Sequence, residues 1–266
     1  NVIGGRFCAL KTFGNTIEEM LIKEPAALKA ALGENPKRCY NQKKASPMTR
    51  MATAALLREA FYKARAYGEK KNAAGAGGEA PELDMGMECL LEVLRGELPL
   101  KIHCHRADDI QTAIRIAEEF GISYTLDHCT EGYMMTDVLK AHNARCILGP
   151  ILIGRPKIEM KNLSYSGAAV LERAGIEFAL STDHPETPVQ LLNVSAAYLV
   201  RNGLSEEAAL RAMTVNAARI TGLDGRIGAV KEGLDADIVV FDGHPLDVRA
   251  KVLMTVINGR VVYGGL

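Results

Sequence analysis

The chain has 266 residues, and 48% of them are apolar, so it can bury the core of one barrel-sized domain together with a small appendage. This composition excludes collagen-like, disordered and miniprotein classes. Basic and acidic residues both number 32, and no basic stretch alternates with aromatic residues, so we expect a small-molecule partner and neither a nucleic acid nor an anionic membrane.

Two short strands are predicted in the first part of the chain, over residues 7–11 and 27–32. A helix is predicted over residues 49–71, because Pro47 precedes a stretch rich in alanine, leucine and arginine whose apolar residues recur at near-helical spacing. The glycine-rich residues 72–81 predict a loop and the most flexible point of the chain.

From residue 83 onward, predicted helices alternate with predicted strands, which is the pattern of repeated βα units in a parallel sheet or barrel. Asp108 is expected to cap the second of these helices with Gln111 as its capping-box partner, and Gly121 and Gly175 are expected to end helices. The helices are predicted over residues 83–95, 108–120, 133–142 and 166–174, and the strands over residues 100–105, 123–128, 144–152 and 176–183.

Two further helices are predicted over residues 188–201 and 205–221, after which the pattern changes to short strands. A strand is predicted over residues 237–241, and a hairpin follows that turns at Asn258-Gly259, a pair typical of a type I′ turn. We therefore predict an α/β fold, a (β/α)8 TIM-type barrel over residues 1–222 with a separate C-terminal β element over residues 223–266.

Three of the apolar runs end in a side chain that binds metals well: LKIH ends at His103, YTLDH at His128 and FALSTD at Asp183. Because all strands of a barrel direct their carboxyl ends to one mouth, we expect these three side chains to converge there. Imidazole and carboxylate ligands suit a divalent metal, zinc above all, and also manganese, iron or nickel. This set predicts a hydrolytic metal site.

Other polar residues lie beside these strand ends. His105 shares the strand parity of His103, so it is expected at the same mouth as a substrate contact, with a solvated strand-end histidine as the equal alternative. Arg106 is a candidate for holding a substrate carboxylate, and simple solvation is its alternative. Cys104 and Cys129 each follow a candidate ligand; since neighbouring strand residues face opposite sides, both are expected to pack against helices.

Cysteine usage and hydropathy bear on the compartment. The six cysteines form no Cys-x-x-Cys pair, and a chain of this size needs no disulfide to hold its core, which is typical of a reducing environment. No apolar run reaches the roughly 20 residues of a membrane span. We therefore expect a cytoplasmic protein.

The stretches KIHCHRADDI (101–110), LDHCTEG (126–132) and STDHP (181–185), with the tail over residues 214–242, resemble the amidohydrolase superfamily, in its imidazolonepropionase-like and prolidase-like branch. The resemblance covers residues 97–266. It implies that His103 and His128 bind a divalent metal and that Asp183 binds a second metal position and shuttles protons. It further implies hydrolysis of a C–N bond in a small amide, cyclic amide or dipeptide, with metal-activated water attacking the carbonyl and Asp183 passing its proton to the leaving nitrogen.

The sequence departs from that superfamily at two points. The superfamily begins its site with a His-x-His pair on strand 1, whereas here His103-Cys-His105 lies where strand 5 belongs and no histidine precedes it. The N-terminal strands that complete the superfamily's β-sandwich are also missing. We therefore expect a barrel without its first strands, a fragment with little or no activity, and an exposed strand edge on which a homo-oligomer could form. Equal turnover by a version extended at the N-terminus would contradict this.

The bridging ligand and the number of metals stay open. Lys29, in the candidate strand ALKAAL, is a candidate for the carboxylated lysine that many relatives use; a plain carboxylate at Glu34 or a surface lysine is the alternative. A second form of the hydrolase is a one-metal, deaminase-like or imidazolonepropionase-like site without a lysine bridge. A hypothesis of another class is a non-catalytic scaffold that keeps the barrel and binds no metal. Metal content distinguishes all three.

Overall fold

The computed structural model describes residues 1–75 and 78–265. In this part of the chain six strands form one sheet in the order β1-β2-β3-β4-β5-β6, and three more form a second sheet in the order β7-β8-β9. The strands are β1 Ile3–Leu10, β2 Leu21–Ala31, β3 Leu100–Cys104, β4 Tyr124–His128, β5 Cys146–Leu148, β6 Phe178–Leu180, β7 Ile238–Phe241, β8 Val252–Ile257 and β9 Arg260–Gly264.

Helices separate the strands of the large sheet, so the predicted alternation from residue 83 onward is confirmed. Short 3-10 turns lie at Gly132–Met134, Ile158–Met160 and Val189–Leu191. The α-helices are α1 Ile17–Met20, α2 Glu34–Gln42, α3 Arg50–Gly75, α4 Met85–Leu94, α5 Ala107–Phe120, α6 Thr136–Ala141, α7 Gly167–Arg173, α8 Leu192–Arg201, α9 Glu206–Met213 and α10 Val215–Thr221.

Strands β2 to β6 pair in parallel, and β1 pairs with β2 antiparallel. In register, Ala31 of β2 lies opposite His103 of β3, which lies opposite Asp127 of β4. Because parallel strands direct their carboxyl ends to one edge, the loops after β2, β3, β4, β5 and β6 meet there. The result is a mixed α/β fold with a mainly parallel sheet, together with a small antiparallel sheet.

The two faces of the large sheet differ in chemistry because strand residues alternate sides. On the helix side, Ile102 and Leu126 are fully buried in the main apolar core, and burying each such side chain stabilises the fold by about 1.5–3 kcal/mol. On the other face, Lys101 Nζ donates to Asp127 Oδ1 over 2.9 Å, and Thr125 Oγ1 donates to the same oxygen over 3.1 Å. A polar layer therefore lies beneath the carboxyl edge.

Several predicted boundaries need correction. Residues 72–75, predicted as loop, continue helix α3, because Ala73 and Ala74 favour helix, and the helix ends at Gly75. Ala76 and Gly77 of the same predicted loop lie outside the described residues. The helix predicted over residues 205–221 divides at Thr214, whose hydroxyl donates to the carbonyl of Leu210 over 2.7 Å.

Asp108 does not cap helix α5. The helix begins at Ala107, and the Ala107 N–H is capped from a distance by Glu131 Oε2 over 2.7 Å. The Asp108 carboxylate binds the guanidinium of Arg106 instead, over 2.8 and 3.0 Å. A long-range acceptor from the loop after β4 therefore replaces the local capping box.

Strand β5 is shorter than predicted because the chain turns at Gly149. Its φ is +135°, and a Cβ built there would lie 1.8 Å from the carbonyl oxygen of Ser181. The predicted hairpin of the tail is confirmed: Asn258 and Gly259 both have positive φ, as a type I′ turn requires. None of the helices in the described part of the chain combines the length and apolarity of a membrane-spanning segment.

Candidate metal centre

Three imidazoles meet at the carboxyl ends of β3 and β4. In the described part of the chain, His103, His105 and His128 each offer one nitrogen, and these atoms lie within 4.8 Å of one another. The ring centroids are 4.4 to 4.8 Å apart. All three residues are buried, with 9% or less of their surface exposed. The solvated alternative for His105 is therefore wrong.

Each imidazole reaches the cluster by a different backbone route. His103 lies on the polar face of β3, and His105 follows two residues later, just past the strand end. His128 lies in register with Cys104, which is buried in the helix-side core, so a regular strand would direct its ring toward the helices. Its φ is +74°, a left-handed conformation that accounts for the ring joining the cluster at a cost of about 1–3 kcal/mol.

The imidazoles are neutral at pH 7. Burial, reinforced by the positive charges of neighbouring groups, lowers the pKa of His103 and of His105 to about 2. Burial also lowers the pKa of His128, although the carbonyl of Gly149 and the carboxylate of Asp183 act in the opposite direction. Neutral imidazole is the form that binds metals, so the cluster is in its ligating state without further deprotonation.

Hydrogen bonds determine which ring nitrogens are free. His128 Nδ1 lies 2.6 Å from the carbonyl oxygen of Gly149; a carbonyl only accepts, so Nδ1 carries the proton and Nε2 keeps its lone pair. His105 Nδ1 is held by Thr130 Oγ1 over 2.7 Å, which leaves its Nε2 facing the cluster. Asn35 Nδ2 lies 3.3 Å from Nε2 of His103, a contact that a metal on this nitrogen would replace. Such partners orient metal-binding histidines.

Glu159, which the sequence analysis did not single out, lies beside two of these rings. Its side chain is fully buried, and its Oε1 lies 3.6 Å from Nε2 of His103 and 3.7 Å from Nε2 of His105. Its Oε2 accepts the backbone N–H of Glu34 over 2.7 Å. Glu159 lies in the loop after β5 and not at a strand end. No sequence pattern distinguishes it from the other loop glutamates as a candidate ligand.

The candidates for a bridging ligand lie at different levels. Lys29 Nζ is 3.5 Å from Asp127 Oδ2, in the polar layer beneath the mouth, two residues before the position that pairs with His103. Glu34 follows the end of β2, and its Oε1 accepts the backbone N–H of Glu159 over 3.0 Å. The arrangement thus brings Glu34 toward the cluster and leaves Lys29 paired with a carboxylate.

Asp183 and Arg106 stand at the rim. Asp183 follows β6, is exposed, has a φ of +50°, and lies outside the three-histidine cluster. Its charge nonetheless reaches His128, as the opposing effect on that pKa shows. Arg106 binds the Asp108 carboxylate through Nε and Nη2, so a substrate carboxylate would compete with Asp108 for these two nitrogens. Catalytic and substrate-binding roles for these residues stay predictions.

The cysteines next to the histidines pack as predicted. Cys104 and Cys129 are buried in the helix-side core, 0% and 1% exposed. Burial raises the pKa of the Cys104 thiol, and a hydrogen bond to Cys146, together with burial, raises that of Cys129. Both are thiols at neutral pH, and thiols are poor metal ligands. In the part of the chain that the structure describes, all six cysteines are free.

Comparison with known proteins gives a consistent result. The pattern that defines the Amidohydrolase family matches residues 88–263. A crystal structure of an amidohydrolase from Thermotoga maritima MSB8 is 43% identical, superposes with a TM-score of 0.97, and is matched over 100% of this chain and 70% of that chain. Amidohydrolase tasK of Hapsidospora irregularis is 29% identical over 257 residues, which is 89% of this chain and 25% of that protein.

An imidazolonepropionase of Maricaulis maris is 29% identical over 171 residues, 63% of this chain and 41% of that enzyme. The chain thus spans about a quarter and about two fifths of these two curated relatives. Their activities are properties of longer proteins.

Proposed function

The chain belongs to the amidohydrolase family, and we propose that it hydrolyses a C–N bond of a small molecule with a divalent metal that His103 and His128 hold. The observation that carries this proposal is the meeting of three buried, neutral imidazoles at one edge of a parallel sheet. Zinc is the metal that this ligand chemistry suits best.

The residues fit a metal on two grounds. His128 keeps the lone pair of Nε2 free because Nδ1 donates to a carbonyl, and in His105 the contact of Nδ1 with Thr130 leaves Nε2 as the nitrogen that faces the cluster. Beside them, within the described residues, the buried oxygen Glu159 Oε1 has no hydrogen-bond partner. A cation bound among these atoms would satisfy both the nitrogen lone pairs and the unpaired carboxylate oxygen.

When bound, a divalent metal supplies Lewis acidity that polarises a carbonyl and makes a water proton acidic near neutral pH. The chain's own residues supply the proton handling. In this proposal the Asp183 carboxylate, exposed at the end of β6, accepts a proton from the attacking water and returns it to the leaving nitrogen. Arg106 and His105 contact the substrate at the same mouth, Arg106 through a carboxylate if the substrate carries one.

A one-metal form of the site is the second candidate, and the pairing of Lys29 with Asp127 favours it. A lysine amine that neutralises a buried carboxylate is not available as a bridge between two metals. The similarity to an imidazolonepropionase points the same way. One metal per chain favours this form, two favour the bridged form with Glu34 as its carboxylate, and none favours the non-catalytic scaffold.

Hydrolysis assays test the proposal. A panel of cyclic amides, N-acyl amino acids and dipeptides is offered with and without a chelator, and Asp183→Asn is compared with His184→Ala, an exposed neighbour. We expect chelation to abolish turnover and Asp183→Asn to lower kcat by roughly 100-fold or more, since general acid–base catalysis contributes about that much. Equal turnover of Asp183→Asn would contradict its role. Little activity of these 266 residues, compared with a longer version, stays a prediction.

A further inference from the structure

The two oxygens of the Glu159 carboxylate have different surroundings. Oε2 accepts the Glu34 N–H over 2.7 Å and lies 3.7 Å from a guanidinium nitrogen of Arg50. Oε1, in contrast, has no hydrogen-bond partner among the described residues, although none of the side chain is exposed. A positively charged neighbour of Oε1 is Lys157 Nζ, at 3.8 Å. One oxygen is therefore committed and the other is free.

A buried carboxylate oxygen without a hydrogen-bond donor is unfavourable, because burial removes its water and no protein group replaces it. Lys157 and Arg50 offset part of the charge, but both lie beyond hydrogen-bonding distance. Nε2 of His103 faces the amide nitrogen of Asn35, which can only donate, so this ring nitrogen presents a lone pair and no proton to Oε1. A cation is the group that would satisfy all of them together.

The distances suit such a cation. Ligand atoms about 2.0–2.2 Å from a tetrahedral zinc lie roughly 3.3–3.6 Å from one another. Oε1 is 3.6 Å from Nε2 of His103 and 3.7 Å from Nε2 of His105, close to that spacing, and the ligand nitrogens of the two histidines lie within 4.8 Å of each other.

Hydrogen bonds to Glu34, which follows strand β2, hold the loop that carries Glu159. Glu34 and Glu159 exchange two hydrogen bonds, each backbone N–H meeting the other's carboxylate, over 2.7 and 3.0 Å. Gly33 makes this approach possible: its φ is +75°, and a Cβ there would lie 2.4 Å from Glu159 Oε2. Arg50, whose guanidinium lies 3.7 Å from Oε2, is itself fixed because its Nε donates to the buried Asp109 over 3.0 Å. The carboxylate is thus held in one orientation.

We propose that Glu159 is a direct ligand of the metal through Oε1, alongside Nε2 of His103 and Nε2 of His105. The inference rests on the proposed function, because it names a further ligand of that same centre. It also assigns His105 to the metal and not to the substrate. This carboxylate ligand then comes from the loop after β5, whereas the sequence pattern indicates ligands only at the ends of strands.

The test is zinc affinity, measured by competition with a chromophoric chelator on the full 266-residue chain. Glu159→Gln keeps the size of the side chain and an oxygen for the Glu34 N–H while removing the charge. Glu131→Gln is the matched control: Glu131 is also buried in a neighbouring loop, 7% exposed against 0% for Glu159, but its oxygens are taken by Ala107 N and Asn162 Nδ2. We expect Glu159→Gln to lose more than about 100-fold in affinity and Glu131→Gln less than about 10-fold.

A visible spectrum of the cobalt-substituted chain separates ligation from positioning, because loss of a ligand changes the d–d bands. A loss below 100-fold with an unchanged spectrum would overturn direct ligation. A wild-type chain that takes up no metal contradicts the proposed function as well, whereas equal binding by wild type and Glu159→Gln contradicts this inference alone. If Glu159→Gln fails to fold, a zinc-soaked crystal of the wild-type chain decides: an Oε1–zinc distance of about 2.0–2.2 Å supports the proposal, and one above roughly 3 Å overturns it.

Discussion

His128 donates a 2.6 Å hydrogen bond from Nδ1 to the carbonyl oxygen of Gly149, and this bond links the histidine cluster to the end of strand β5. The same glycine turns the chain at a φ of +135°, against the carbonyl of Ser181 after β6. One residue therefore both ends a strand and selects the nitrogen that His128 offers.

Gly149→Ala is expected to destabilise the chain. The new Cβ would lie 1.8 Å from the Ser181 carbonyl oxygen, and the backbone conformation is unfavourable for any residue with a side chain. We expect a loss of about 2 kcal/mol or more in the free energy of unfolding, measured in urea, and weaker zinc binding. Gly154→Ala is the control, because a Cβ at Gly154 meets nothing within 4 Å; an equal loss there would contradict this explanation.

Lys101→Met is expected to destabilise the polar layer beneath the site. Asp127 is 7% exposed and receives its shortest contact from Lys101, over 2.9 Å, while Lys29 is more distant at 3.5 Å. Burial acts to raise the pKa of Asp127, but the two lysines outweigh it and keep the pKa low. We expect a loss of about 1–3 kcal/mol on removal of one charged partner.

Lys63→Met is the matched control for that variant. Lys63 pairs with Glu59 on the surface of α3, with both side chains more than half exposed, and such pairs contribute less than about 1 kcal/mol. If the two substitutions proved equally mild in urea unfolding, the Lys101–Asp127 pair would have no special role in stability.

Acid is expected to destabilise the metal-free chain below about pH 6.5. Folded His103 and His105 have a pKa of about 2, against 6.5 for an ordinary histidine, so between these values the unfolded chain binds protons that the folded chain does not. Stability is therefore complete above pH 6.5 and falls as the pH decreases, by at most about 1.4 kcal/mol per pH unit for each imidazole. Urea unfolding with a chelator, at pH 7.5, 6.5 and 5.5, measures this. Constant stability over that range would contradict the burial of neutral imidazoles.

Lys29→Met is expected to leave metal stoichiometry unchanged, because the amine is paired with Asp127. Glu34→Gln is the comparison, since its carboxylate lies against Glu159 at the mouth. Elemental analysis of both variants, with folding checked by circular dichroism, distinguishes the two bridging candidates. A metal content that falls with Lys29→Met alone would restore lysine as the bridge.

The sequence predicted the side chains whose direction follows from the alternation of residues along a regular strand. His103 ends a regular strand, so its position at the carboxyl edge could be predicted, as could the packing of Cys104 on the other side. Parity alone does not account for His128, whose ring reaches the cluster through a positive φ. Glu159 depends on a contact with Glu34, far away in the sequence, and on the absence of a side chain at Gly33. Local patterns carry no record of such tertiary contacts.

Zinc bound per chain at equilibrium dialysis tests whether the histidine cluster holds a divalent metal. The comparison uses wild type, the double variant His103→Ala with His128→Ala, and the control His142→Ala, an exposed histidine that pairs with Glu118 away from the cluster. We predict about one zinc per chain for wild type and control, as one ligand cluster can hold, and almost none for the double variant. Equal zinc in all three proteins, or none in wild type, would contradict the account.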